Sequence, residues 1–114
     1  MDHQIYSVSM EKIYQLYIKK ITKKNRTVDE LNTIILWLTG YQKSALTSLD
    51  AFTVKQFFNH APNLNPKRLR ITGKICGVQI ETIEAPIMKE IRYLDKLVDE
   101  LAQGKTLQKI FREV

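Results

Sequence analysis

The triplet Gly104-Lys105-Thr106 is the group of residues that most resembles a phosphate-binding loop. Such a loop needs another glycine five positions earlier and a strand ahead of it, because the backbone must wrap around the phosphates. Asp99 stands at that position, and the residues before the triplet follow a helical pattern. We therefore predict that Gly104 ends one helix and that a new helix starts after it.

Cys76 and His60 are the residues from which a nucleophile and its base could be built. Nothing in their spacing brings the imidazole near the thiol. Cys76 lies between Ile75 and the Gly77-Val78 pair, and free cysteines are among the most buried residues in proteins. We expect a buried structural cysteine.

A metal site has little support in the sequence. The only cysteine excludes a disulfide within the chain, and no pair of His or Cys residues has the spacing of a zinc site. The acids Asp95, Asp99 and Glu100 are expected to be solvated on the outside of a helix. We expect no metal, no cofactor and, on balance, no enzymatic activity.

Positive charge is concentrated in two stretches of the chain, whose net charge is +6. Residues 1–26 carry six Lys or Arg against two acids, and residues 67–74 carry four against none. A basic surface attracts nucleic acids and other polyanions. The candidate polyanion-binding residues are Lys19, Lys20, Lys23, Lys24, Arg26, Lys67, Arg68, Arg70 and Lys74.

Apolar residues recur at three- and four-residue steps along most of the chain, which predicts an all-α fold. We expect one domain over residues 1–114, built as a compact bundle of five to six helices. The best-defined helices cover residues 10–24, 28–39, 54–60, 86–103 and a short segment near 107–111. Capping boxes at Thr27/Glu30 and Thr53/Gln56 mark two of the helix starts.

The region 67–83 is compatible with two structures. Its β-branched residues alternate in places, which favours a small hairpin within residues 69–80. The same residues also fit a helix–turn–helix with Gly77 at the turn. We favour the helical alternative, although its second helix would carry Glu81 and Glu84 and no basic residue, and DNA would repel it.

Leu36, Trp37 and Tyr41 lie outside the apolar stripe of the second helix. They are candidate interface residues, because aromatic side chains are enriched at interfaces. The alternative, which we favour, is that Trp37 fills the core.

The chain has no apolar run of the roughly 20 residues that a membrane helix needs and no pattern of a signal peptide. We expect a cytoplasmic protein without membrane contact.

Three blocks of the sequence resemble a bacterial family called domain of unknown function 2200. They are Trp37-Leu38-Thr39-Gly40-Tyr41, Ile75-Cys76-Gly77-Val78, and the run from Ile91 to Leu101. The resemblance implies a small bacterial cytoplasmic protein, and it implies no activity and no site residues. From the residues themselves we expect a non-enzymatic protein-interaction module or homo-oligomer. The alternative is a nucleic-acid-binding protein that uses the basic clusters around residues 19–26 and 67–74.

Overall fold

The computed structural model describes residues 3–113 and contains five α-helices and one small hairpin. The prediction of a helical fold of five to six helices is confirmed. The elements are α1 (Met10–Thr22), α2 (Val28–Thr39), α3 (Val54–Asn59), β1 (Lys74–Ile75), β2 (Val78–Gln79), α4 (Pro86–Ala102) and α5 (Leu107–Ile110). A short 3₁₀ segment, Gln4–Ser7, precedes α1, and others, among them Lys43–Thr47 and Pro66–Arg70, lie between the later elements.

The start of α2 is fixed by the predicted capping box. The Thr27 hydroxyl accepts a 3.1 Å hydrogen bond from the Glu30 amide, and the Glu30 carboxylate accepts one of 3.0 Å from the Thr27 amide. The helix ends at Gly40, whose φ is 76°. A side chain there would lie 2.7 Å from the backbone oxygen of Asn63, so the turn needs glycine both for its conformation and for its close packing.

Helix α4 is the centre of the fold, because α1, α2, α3 and α5 all pack against it. Its inner face buries six apolar side chains, and the described core residues form one continuous cluster. The six are Ile91, Tyr93, Leu94, Leu97, Val98 and Leu101. The longest helix therefore holds the other four helices together.

The apolar surplus on α2 is covered mainly from within the chain. The Trp37 ring stacks on Phe111, with 4.8 Å between ring centroids and 14° between planes. The Tyr41 ring stacks on Phe57 at 4.7 Å, and its hydroxyl donates a 2.6 Å hydrogen bond to the Phe57 carbonyl oxygen. Trp37 thus packs against the core, as favoured, but it is only half-buried.

The favoured helix–turn–helix in residues 67–83 is wrong, and the hairpin alternative is correct. Strands β1 and β2 pair antiparallel, with Lys74 opposite Gln79 and Ile75 opposite Val78. The two turn residues, Cys76 and Gly77, have φ of 52° and 76°. Two successive positive φ values are what a tight hairpin turn requires, and they are incompatible with a right-handed helix.

Within residues 3–113, no helix combines the length and the apolar character needed to cross a membrane.

Candidate polyanion-binding surface

Helix α1 has one buried face and one exposed face. Met10, Tyr14, Tyr17 and Ile21 turn into the core. The exposed residues from position 12 to position 24, which cover α1 and the two residues directly after it, are Lys12, Gln15, Leu16, Lys19, Lys20, Thr22, Lys23 and Lys24. This set contains five lysines and no carboxylate, and we call it the α1 lysine face.

Most cations of the α1 lysine face have no intrachain partner. Lys20 lies 3.1 Å from Asp99, but its side chain stays 45% exposed, and such surface pairs contribute little and exchange readily with other ions. Lys12, Lys19, Lys23 and Lys24 form no ion pair with any residue from 3 to 113. Their charge is therefore available to an external anion.

Arg26 was predicted to belong to the same basic cluster, but its guanidinium group is committed within the chain. It binds the Glu30 carboxylate at 2.6 Å, and it donates hydrogen bonds of 3.1 and 2.9 Å to the backbone oxygens of Leu101 and Lys105. The Arg26 guanidinium group thus supplies hydrogen-bond donors to backbone oxygens at and just after the C-terminal end of α4. The hydrogen bond from Arg26 and that from the Thr27 amide lower the pKa of Glu30 to about 2, and the pKa of Arg26 is raised by its bond to Glu30.

The second basic stretch is divided in the same way. Arg68 binds the Glu90 carboxylate at 3.0 Å and donates to the Asn65 backbone oxygen at 3.1 Å. Lys67, Arg70 and Lys74 are exposed, and none forms an ion pair within residues 3–113. Three of the four predicted cations are therefore free for a ligand.

The hairpin packs on α4. The Lys96 ammonium on α4 donates a 3.1 Å hydrogen bond to the Lys74 backbone oxygen, which anchors β1. The pKa of Tyr17, on the buried face of α1, is raised well above its usual value, first by burial and then by the charge of Asp95 and its hydrogen bond.

Three residues form a polar network between α1 and α4. The Tyr17 hydroxyl donates a 2.6 Å hydrogen bond to one oxygen of Asp95, and Arg92 donates at 2.9 Å to the other. The Nε atom of Arg92 is buried and has no partner. Asp95 was expected to be solvated, but its side chain is only 17% exposed and its two partners come from different helices.

The prediction that Cys76 is buried is wrong. The thiol is exposed, because Cys76 occupies the first turn position of the hairpin and so projects from its tip. Its neighbour Ile75 is 8% exposed and supplies the buried side chain of this segment. His60 is also exposed, at the C-terminal end of α3.

Glu100 was expected on a solvated surface, and this prediction is wrong as well. Its side chain is 4% exposed and binds Arg112 through two hydrogen bonds, the longer of 2.9 Å. Lys105 approaches at 3.7 Å. Glu100 therefore secures the chain after α5. Arg112 is one of four arginines that bind a carboxylate within residues 3–113, and the others are Arg26, Arg68 and Arg92.

The Gly104-Lys105-Thr106 triplet forms a helix end, as predicted. Gly104 has φ of 96°, and Thr106 is the N-cap of α5, where its hydroxyl accepts a 3.3 Å hydrogen bond from the Lys109 amide. Within residues 3–113, no group of three or more His, Cys, Asp or Glu could hold a metal ion.

The candidate interface residues Leu36, Trp37 and Tyr41 are all half-buried. Each packs against the core cluster, and each keeps part of its apolar surface in solvent. That they form an interface stays a prediction.

On the α1 lysine face, the sequence-based candidates did not include the cation Lys12 or the apolar Leu16. Helical periodicity could have found them, because Lys12 precedes Leu16 by four residues and Lys19 follows by three, which places all three on one side of a helix. Leu16 is 52% exposed and Leu69 is 66% exposed, and each lies within one of the basic stretches.

Comparison with known proteins identifies the family of this chain. A family model described as an uncharacterized protein conserved in bacteria (DUF2200) matches residues 4–112. The chain belongs to this family. Its structure is similar to the crystal structure of uncharacterized protein SP1917, with a TM-score of 0.91 and 41% identity over 99% of this chain and 94% of that chain. No curated protein matches. These relatives establish family and fold, and they assign no function.

Proposed function

We propose that this protein is a non-enzymatic, single-domain cytoplasmic binding protein whose ligand is the phosphate backbone of a nucleic acid. The observation that carries this proposal is the α1 lysine face, which presents five exposed lysines and no carboxylate. Lysines placed in this way bind phosphates and release the counterions condensed on the nucleic acid.

The distribution of ion pairs supports this choice of surface. The arginines Arg26, Arg68, Arg92 and Arg112 each neutralise an acid of the same chain. The lysines of α1 are left with Asp99 as their only acidic partner among residues 3–113. The net charge of +6 is therefore expressed mainly by exposed lysines, and α1 carries the densest group of them.

The second basic stretch offers further exposed cations. Lys74 is two residues from the hairpin tip. Lys67 and Arg70 precede Lys74 and are exposed. A ligand long enough to span both stretches would contact these cations as well, although the predicted recognition helix does not exist.

A gel-shift assay with a duplex of about 20 base pairs tests the proposal. If about five phosphates are contacted, the affinity should fall by roughly 500-fold between 50 and 200 mM salt. The double substitution Lys19→Gln, Lys23→Gln should weaken the shift, whereas Lys43→Gln, Lys89→Gln removes the same charge outside both basic stretches and should not. Absence of a shift at 50 mM salt would refute the proposal.

Self-association through Leu36, Trp37 and Tyr41 is a second candidate function. The observation that favours it is that all three apolar side chains remain partly in solvent. Light scattering should then report a dimer or a larger species for the natural protein and a smaller mass for Leu36→Ser. A monomeric natural protein at high concentration would exclude this candidate.

A further inference from the structure

We infer that the ligand is a double-stranded nucleic acid that is held through its phosphates, without readout of its base sequence. This inference rests on the proposed function and specifies its ligand. It depends on which side chains the fold leaves available at the surface and which it uses internally.

Four of the five arginines are held within the chain and are not available for reading bases. Arginine is the side chain most often used to read guanine in the major groove, because its forked guanidinium matches two acceptors at once. Four of the five guanidinium groups bind carboxylates of the same chain. The remaining one, Arg70, is the last residue of a 3₁₀ segment whose five residues cannot enter a groove as a recognition helix does. Sequence-specific recognition therefore lacks its usual donors.

The aromatic rings are not available for stacking on single-stranded bases. Single-strand binders stack successive bases on exposed aromatic side chains. Within residues 3–113, every Tyr, Trp and Phe is buried or half-buried. Trp37 and Tyr41 already stack on Phe111 and Phe57, and the α1 lysine face contains no aromatic residue.

The remaining surface suits a ligand with regularly spaced phosphates. Lys12, Lys19 and Lys23 lie seven and four residues apart along α1, which corresponds to roughly 10 and 6 Å along the helix axis. A duplex holds its phosphates in a fixed array, so a rigid helix binds it with less loss of conformational entropy than a flexible single strand requires. Lysine, as a point charge, has no need of a particular base.

Leu16 allows a nucleic-acid duplex to be distinguished experimentally from the main alternative ligand, an acidic protein segment. It is 52% exposed in the middle of the α1 lysine face, where it would contact an acidic protein segment that carries an apolar residue. A phosphate backbone has no comparable apolar group for Leu16 to contact. Leu16→Gln keeps the charge of the face and removes only the apolar contact.

The experiment is a fluorescence-anisotropy titration with three labelled probes of about 20 nucleotides per strand: an A·T-rich duplex, a G·C-rich duplex and a single strand. We expect the two duplexes to bind with dissociation constants within roughly threefold of each other and the single strand to bind at least roughly fivefold more weakly. Lys19→Gln, Lys23→Gln should make the slope of log affinity against log salt shallower by about 1.8, and the control Lys43→Gln, Lys89→Gln, outside both basic stretches, should leave all three affinities unchanged.

The alternative outcomes are distinct. Tighter binding of the single strand, or a difference above roughly tenfold between the duplexes, would overturn this inference while the proposed function stands. Loss of duplex binding in Leu16→Gln, with its fold intact by circular dichroism, would also overturn it. If none of the probes binds at 50 mM salt, the proposed function itself fails.

Discussion

The Tyr17 hydroxyl on α1 donates a 2.6 Å hydrogen bond to Asp95 on α4, across 78 positions of sequence. Arg92 binds the other oxygen of the same carboxylate. This contact joins α1 to α4 on the buried side of α1. The lysines project from the opposite side of the same helix.

Tyr17→Phe should destabilise the fold, because it leaves one oxygen of a largely buried carboxylate without a donor. We expect a loss of about 1–2 kcal/mol in the free energy of unfolding, measured by urea denaturation. Tyr6→Phe is the matched control, since the Tyr6 hydroxyl makes no hydrogen bond within residues 3–113. Equal stability of the two variants would show that the Tyr17–Asp95 contact is energetically neutral.

The Arg26–Glu30 pair should make stability depend on acid. The pKa of Glu30 is lowered to about 2 from an ordinary value of 4.5, so the folded state favours the carboxylate. Its contribution is complete above the ordinary pKa and disappears as the pH falls toward 2. Glu30→Gln should therefore be less stable than the natural protein at pH 7, and the difference should shrink as the pH approaches 2.

The control for that experiment is Glu84→Gln, which removes an exposed acid. Denaturation curves at several pH values should be close to those of the natural protein for this variant. A gap between Glu30→Gln and the natural protein that stays constant from pH 7 to 2 would contradict the role assigned to Arg26.

Cys76→Asn should stabilise the hairpin. Cys76 has φ of 52° and precedes Gly77 in the turn, and Asn-Gly is the pair that this kind of turn prefers, because Asn tolerates the left-handed region. We expect a gain of about 0.5–1 kcal/mol in unfolding free energy. Cys76→Val introduces a β-branched residue that disfavours positive φ, so it should lower stability. The reverse order of the two variants would contradict the turn geometry.

Trp37→Ala should lower stability by about 3 kcal/mol, which is the lower limit for a buried tryptophan, because Trp37 is half-buried and stacks on Phe111. Phe111→Leu, which replaces the stacked ring with a smaller apolar side chain, should cost about 1 kcal/mol. Thermal denaturation measures both. A Trp37→Ala protein as stable as the natural one would mean that α5 does not hold α2 in the way described.

Local signals in the sequence predicted the helices well. The Thr27/Glu30 and Thr53/Gln56 capping boxes form as expected, and Gly40 ends α2. These features depend on residues three or four positions apart, so the chain contains the necessary information within a few residues.

Contacts between distant residues could not be predicted in the same way. The hairpin depends on Cys76 adopting a left-handed conformation that cysteine rarely adopts, and it is anchored by Lys96, 22 positions away from Lys74. The basic clusters were predicted as sets of equivalent cations. Because Arg26 and Arg68 find acids and carbonyl oxygens of the same chain, only the lysines and Arg70 remain for a ligand.

The most direct test of the proposed surface is an NMR titration of the ¹⁵N-labelled protein with the duplex at low salt. We predict that the amide signals that shift belong to residues 12–24, which cover α1 and the two residues after it, and to the hairpin, residues 74–79, with little change in α2 and α5. Shifts concentrated on α2 around Trp37, or no shifts at all, would contradict the assignment of the α1 lysine face as the binding surface.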